Sequence, residues 1–107
     1  MPRTRKTALS SCSVKLKTLA DATRLEVMRI LLAGPRTVGG INRVLRIEQS
    51  LLSHHLKILR EAGLVAAARK GKGVQYRLVT PVCAENVIEL GCCRLSFHGL
   101  HTSKSTR

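Results

Sequence analysis

The segment running from Gln49 to Leu64 constrains this chain more than any other stretch. Ser50, Ser53, His54 and Lys57 fall at i, i+3, i+4 and i+7 and form one polar stripe. Leu52, Leu56 and Leu59, joined by Leu51 and His55, form an apolar stripe on the other side. Gly63 stands where such a helix would close. The polar stripe presents hydroxyls, an imidazole and an ammonium but no carboxylate, and these groups hydrogen-bond base edges and phosphates without repelling them. An ordinary amphipathic helix with a solvated face has the same periodicity. The rest of the chain has to separate the two readings.

Composition favours the nucleic-acid reading. Within 107 residues, enough for one domain and a modest core, Lys and Arg number 19 against 6 acidic residues, a formal charge of +13. That imbalance selects a polyanionic partner. One Tyr and one Phe supply no stacking platform, which favours duplex DNA over RNA or single strands. A basic RNA-associated module accounts for the charge alone. An enzyme is not expected: the acidic residues are scattered, no glycine-rich phosphate loop follows a strand, and no nucleophile–base arrangement can be placed. No segment reaches the roughly 18 to 20 apolar residues that span a bilayer, and the basic start lacks an apolar signal core. A cytoplasmic protein with no membrane partner is expected. There the four cysteines, Cys12, Cys83, Cys92 and Cys93, would be reduced, serving as buried thiols, metal ligands or redox sensors rather than as a disulfide framework.

Taken in order, residues 1–11 read as a basic mobile arm, 12–97 as one folded domain and 98–107 as a disordered tail. Val14, Leu16, Leu19 and Ala20 support a first helix from about Cys12 to Ala20. Asp21 stands as N-cap to a second, with Leu25, Met28, Leu31 and Leu32 on its buried face, stopped at Gly34-Pro35. Thr37 can cap a short third helix over Val38 to about Leu45, and a tight link leads into the polar-faced helix. This is helix-turn-helix order. After Gly63 the period changes to that of strands, Leu64 to Arg69 and then Val74, Tyr76 and Leu78 in alternation. Lys70-Gly71-Lys72-Gly73 forms the tip between them, and with Arg69 and Arg77 the hairpin carries four cations, suited to a phosphate backbone. Pro81 opens an expected last helix, Val82 to about Leu90, ended or bent at Gly91. The fold class is therefore mainly α with a small β-hairpin, a winged helix-turn-helix.

Three segments, Leu19 to Leu25, Gln49 to Val65 and Arg69 to Leu78, resemble the ArsR/SmtB family of bacterial winged-helix transcriptional repressors. The resemblance spans roughly Leu16 to Leu78 and includes the Ser-x-x-Ser-x-His-Leu helix and the wing, in the family's order. It implies a homodimer built on the first and last helices, which binds an inverted-repeat operator and leaves it when an inducer binds. It places Gln49, Ser50, Ser53, His54 and Lys57 of the recognition helix, and Arg69, Lys70, Lys72 and Arg77 of the wing, against double-stranded DNA. His55, on the apolar face, reads as a packed histidine.

The family's inducer sites are not repeated here. Arsenic-sensing members often carry a Cys-x-Cys cluster on the helix before the recognition helix, and Val38 to Leu45 has no cysteine. Zinc-sensing members use Asp, His and Glu along the last helix, where this chain offers only Glu85 and Glu89. On a continuous last helix Cys83 and Cys92 would lie roughly 13 Å apart and point to opposite sides, so they could not share one ion. Cys92 and Cys93 could, with Cys12 of the same or the partner chain as a third thiolate for arsenite, antimonite or a thiophilic metal. DNA binding itself needs no cofactor. A thiol-redox or persulfide-sensing repressor of the same fold stays open, with a disulfide joining Cys12 to one of the vicinal pair, as does the plain reading of the thiols as small buried hydrophobes, which is the reading expected for Cys83.

Overall fold

A computed structural model describes residues 2–79, 82–84 and 86–97, with backbone alone for 2–9 and 82–84. Four helices come first, α1 (Pro2–Thr18), α2 (Ala22–Leu31), α3 (Val38–Leu45) and α4 (Gln49–Glu61). A short strand β1 (Arg36–Thr37) precedes α3. After α4 come β2 (Val65–Lys70) and β3 (Gly73–Leu78), then β4 (Val82–Ala84), β5 (Val87–Glu89) and β6 (Arg94–Ser96).

Local chemistry sets the helix ends. Asp21 caps α2 by accepting a hydrogen bond from the Arg24 backbone N–H at 3.0 Å, and Thr37 caps α3 through Gly40 N–H at 3.1 Å. Gly34 and Gly63, with φ of +132° and +79°, turn the chain out of α2 and α4. The first helix is longer than the periodicity suggests. It opens at Pro2, a residue suited to a first helical position, and no glycine interrupts it. The basic stretch expected as an arm is thus helical from Pro2, and the expected tail over 98–107 lies outside the described residues.

The core is where the helices meet. Val27 and Met28 of α2, Ile41 of α3 and Leu52, Leu56 and Leu59 of α4 are fully buried. Leu51, expected on the buried face of α4, is 45% exposed, because one residue along a helix turns the side chain by about 100°. The first sheet has the order β1-β3-β2, all antiparallel, and Arg36 pairs with Tyr76 across β1 and β3. This two-residue strand carries no periodic signal and is not visible in the sequence.

The expected last helix is not formed. The described residues 82–84 and 86–96 form an antiparallel meander, β4-β5-β6, with Val82 opposite Ile88 and Glu89 opposite Arg94. Asn86, with φ of +63°, turns the chain between β4 and β5, a conformation that a right-handed helix excludes. Val82, Val87 and Ile88 are β-branched and suit a pleated surface. Ile88, Leu90 and Phe97 from this region join the helical core. A dimer surface made by a last helix therefore has no counterpart among the described residues. The spacing argument separating Cys83 from Cys92 also loses its premise, and the Cys83 side chain lies outside the described residues.

Candidate nucleic-acid interface and thiol cluster

The entry to α4 is held rigidly. Arg46, with φ of +55°, closes α3 in the left-handed region, and the Asn42 side chain then clamps the next residue from both sides. Its amide donates to the Ile47 carbonyl at 2.8 Å and its oxygen accepts from Ile47 N–H at 2.9 Å. Glu48 follows as the N-cap residue, and its carbonyl accepts the first helical bond, from Leu52 N–H at 3.0 Å. Gln49, Ser50, Ser53, His54 and Lys57 are all exposed, while Leu52, Leu56 and Leu59 on the far side are sealed in the core. The helix thus projects its polar stripe outward as one surface.

The hairpin projects beside it. Lys70 pairs with Gly73 across a two-residue tip, and Gly71 there has φ of +60° at the first turn position, which glycine adopts without steric penalty. Arg69, Lys70, Lys72 and Arg77 are exposed. Strand alternation divides them. Arg69 lies opposite Val74, on the face shared by Val65, Ala67, Tyr76 and Leu78, whereas Arg77 lies opposite Ala66 on the other face, which Lys70 shares.

His55 is buried at 8% exposure, and its Nδ1 accepts a hydrogen bond from Arg24 Nε at 3.1 Å. That bond requires the neutral ring with its proton on Nε2. The same guanidinium donates to the Thr18 carbonyl at 3.0 Å, at the end of α1. Arg24 consequently ties α1, α2 and α4 together. Asp21 lies in the same cluster, and its carboxyl is held below the ordinary value of 3.8, chiefly by the Arg24 backbone N–H and further by the charge of the Arg24 guanidinium. Arg24 is a residue that sequence reasoning passes over, since a partner 31 positions away leaves no local signal.

Further back along α1, at Cys12, three thiols of one chain converge. Cys12 forms a disulfide with Cys92 across 80 residues, and the free Cys93 places its sulfur 3.7 Å from Cys92 Sγ and 4.0 Å from Cys12 Sγ. Cys12 is nearly buried, while Cys92 and Cys93 are exposed on the loop between β5 and β6. Lys15 secures that loop by donating from Nζ to the Leu90 carbonyl at 3.2 Å. A cleft of about 270 Å³, lined by Ser11, Cys12, Lys15, Leu90, Gly91 and Cys92, opens beside the sulfurs. Among the described residues this is the one group of three or more metal-ligating side chains, with all ligand atoms within 4.8 Å of one another.

A model of the arsR family of bacterial regulatory proteins matches residues 21–67, which span α2 through α4 and enter β2. The transcriptional repressor SdpR of Bacillus subtilis (strain 168) is 34% identical over 71 residues, covering 66% of this chain and 79% of SdpR. The chain belongs to the arsR family. The arsenical resistance operon repressor of Bacillus subtilis (strain 168) is 37% identical over 79 residues, covering 73% of this chain and 75% of that protein. Four further arsR-type relatives are longer, and the match spans 56–61% of their length. Among solved structures, the homodimeric winged helix-turn-helix DNA-binding domain of Mb0332 from Mycobacterium bovis superposes with a TM-score of 0.66 at 29% identity, covering 70% of this chain and 69% of that one.

Membership of the arsR family makes this a DNA-binding transcription regulator. In helix-turn-helix proteins generally, the second helix of the motif presents side chains to base edges in the major groove. The thiol cluster lies outside the matched segment 21–67. Sulfurs bound to one thiophilic ion at about 2.3 Å each, at tetrahedral angles, are spaced by about 3.8 Å. The two separations made by Cys93 match that spacing, so the three side chains fit a soft ion once the disulfide is reduced.

Proposed function

We propose that this arsR-family chain is a transcriptional repressor that binds an inverted-repeat operator as a homodimer and is released by a thiol-reactive inducer. Gln49, Ser50, Ser53, His54 and Lys57 read or position the duplex, and Arg69, Lys70, Lys72 and Arg77 engage phosphates. The homodimer is supported by the homodimeric Mb0332 domain and by Val14 and Leu16 of α1, which stand 53% and 46% exposed. The inducer is arsenite, antimonite or a thiophilic metal ion, held by Cys12, Cys92 and Cys93 in the reduced state. The observation that carries the inducer reading is the convergence of three sulfurs at ligand spacing, and the arsenical resistance operon repressor among the relatives is in keeping with it.

A second reading rests on the Cys12–Cys92 disulfide itself. Oxidation would lock the β5–β6 loop to α1, and the DNA affinity of the two redox states would differ. One titration separates the readings. The reduced protein is bound anaerobically to a labelled duplex from upstream of its own gene, and arsenite is added while fluorescence anisotropy is followed. Release at low stoichiometry, lost in a Cys92→Ser/Cys93→Ser variant, supports the metalloid site. Binding untouched by arsenite but altered by a mild oxidant transfers the role to redox. Binding altered by neither would overturn an inducer role for these thiols.

A further inference from the structure

Three of the six acidic residues of this +13 chain are engaged by their own neighbours. Asp21 caps α2, Glu26 pairs with Arg29, and Glu89 pairs with Arg94. Glu48 is placed differently. It is exposed, and it occupies the N-cap position of the recognition helix with φ of −61° and ψ of +136°, yet its side chain makes no capping hydrogen bond. Its contact is a long one, from the Ser50 hydroxyl at 3.5 Å. The backbone beneath it is fixed on both sides, by the Asn42 clamp on Ile47 and by the first hydrogen bond of α4. A carboxylate therefore stands on a rigid mount beside Gln49 and Ser50, at the end of the helix that points to base edges.

Such a group is a poor neighbour for a phosphate backbone, and in the major groove it has few acceptable partners. A carboxylate only accepts hydrogen bonds, and the cytosine N4 amino group is a donor that no neighbouring acceptor on the same base accompanies there. Adenine offers its amino group beside the N7 acceptor, which suits an amide better than a carboxylate. The fixed backbone matters because it sets which base the carboxylate can reach when its side chain orders against the duplex.

We propose that Glu48 is a specificity-determining residue that reads a cytosine amino group in each half-site and, through its charge, disfavours duplexes that lack one. The inference rests on the DNA-binding reading of α4 and adds a named base to it. Replacing cytosine at that position should weaken the wild-type protein by about tenfold or more. Removing the charge should do two things together: relax the preference and strengthen binding to unrelated duplex.

The test is selection from a random-core duplex library with the full chain and with Glu48→Gln and Glu48→Ala, followed by anisotropy on the selected sites. Thermal unfolding serves as the fold control: since the Glu48 side chain is exposed and makes no cap bond, unfolding should stay cooperative, with at most a small drop in midpoint from the lost attraction to the helix N-terminus. The wild type is expected to select a symmetric motif with a fixed cytosine, Glu48→Gln to shift that position to adenine, and Glu48→Ala to leave it degenerate with raised non-specific affinity. Identical motifs for all three proteins would overturn the role of Glu48 while leaving sequence-specific DNA binding in place. A wild type that selects no motif at all would overturn both.

Discussion

Neutralising the tip of the wing gives the sharpest quantitative test of how this protein holds DNA. Lys70 and Lys72 are exposed on either side of Gly71, and neither is in an ion pair among the described residues. Their ammonium groups are therefore available to phosphates. Each phosphate neutralised on B-DNA contributes about −0.9 to the slope of log K against log salt concentration. Replacing both lysines with Ala should reduce the slope by about 1.8 for one wing and about 3.6 for the two wings of a dimer. Between about 50 and 200 mM salt, a change of 3.6 corresponds to roughly 150-fold of salt sensitivity removed, and 1.8 to roughly 12-fold. The assay is anisotropy at a series of salt concentrations, for wild type and Lys70→Ala/Lys72→Ala, on the same duplex. Because Gly71 and the strand pairing are untouched, thermal unfolding should coincide for the two proteins. An unchanged slope with intact binding would refute the placement of the wing on the backbone.

Stability offers further tests. Leu56→Ala empties a fully buried site between α4 and the core, and urea unfolding should register a loss of about 2–5 kcal/mol. Asp21→Ala removes the α2 cap and should cost about 1 kcal/mol near neutral pH. Because the folded-state pKa of Asp21 is depressed from 3.8, its contribution is present above that value and is lost as the pH falls through the lower folded pKa, so the gap between wild type and variant should narrow in acid. Reducing the Cys12–Cys92 bond, which closes a loop across 80 residues, should lower stability by about 2–4 kcal/mol in matched denaturation curves with and without reductant. Cys12→Ser should abolish that difference.

The recognition helix, the caps of the two helices before it and the wing are all legible in the sequence because local rules set them. Leu52, Leu56 and Leu59 recur at helical spacing, Asp21 and Thr37 are capping residues in capping positions, and Gly71 sits where a hairpin tip needs it. The segment after the wing carries no such decisive local signal. A short apolar run such as Val87-Ile88 is compatible with either helix or strand, and periodicity cannot choose between them over so few residues. Strand pairing and the left-handed turn at Asn86 decide for the meander.

By itself, then, the sequence determined a basic winged helix-turn-helix chain, the exposed polar stripe of α4 and the small set of thiols proposed as its sensor. Charge, periodicity and turn chemistry act within a few residues, so they survive reading in one dimension. Tertiary structure alone decided that Cys12 reaches Cys92 and Cys93 of its own chain, that Arg24 ties α1 to His55, and that the chain after the wing runs as strands. The thiol and Arg24 contacts join positions 31 to 81 apart, and the strands form where Ile88, Leu90 and Phe97 seat in the helical core, which only the packing of the whole chain brings about.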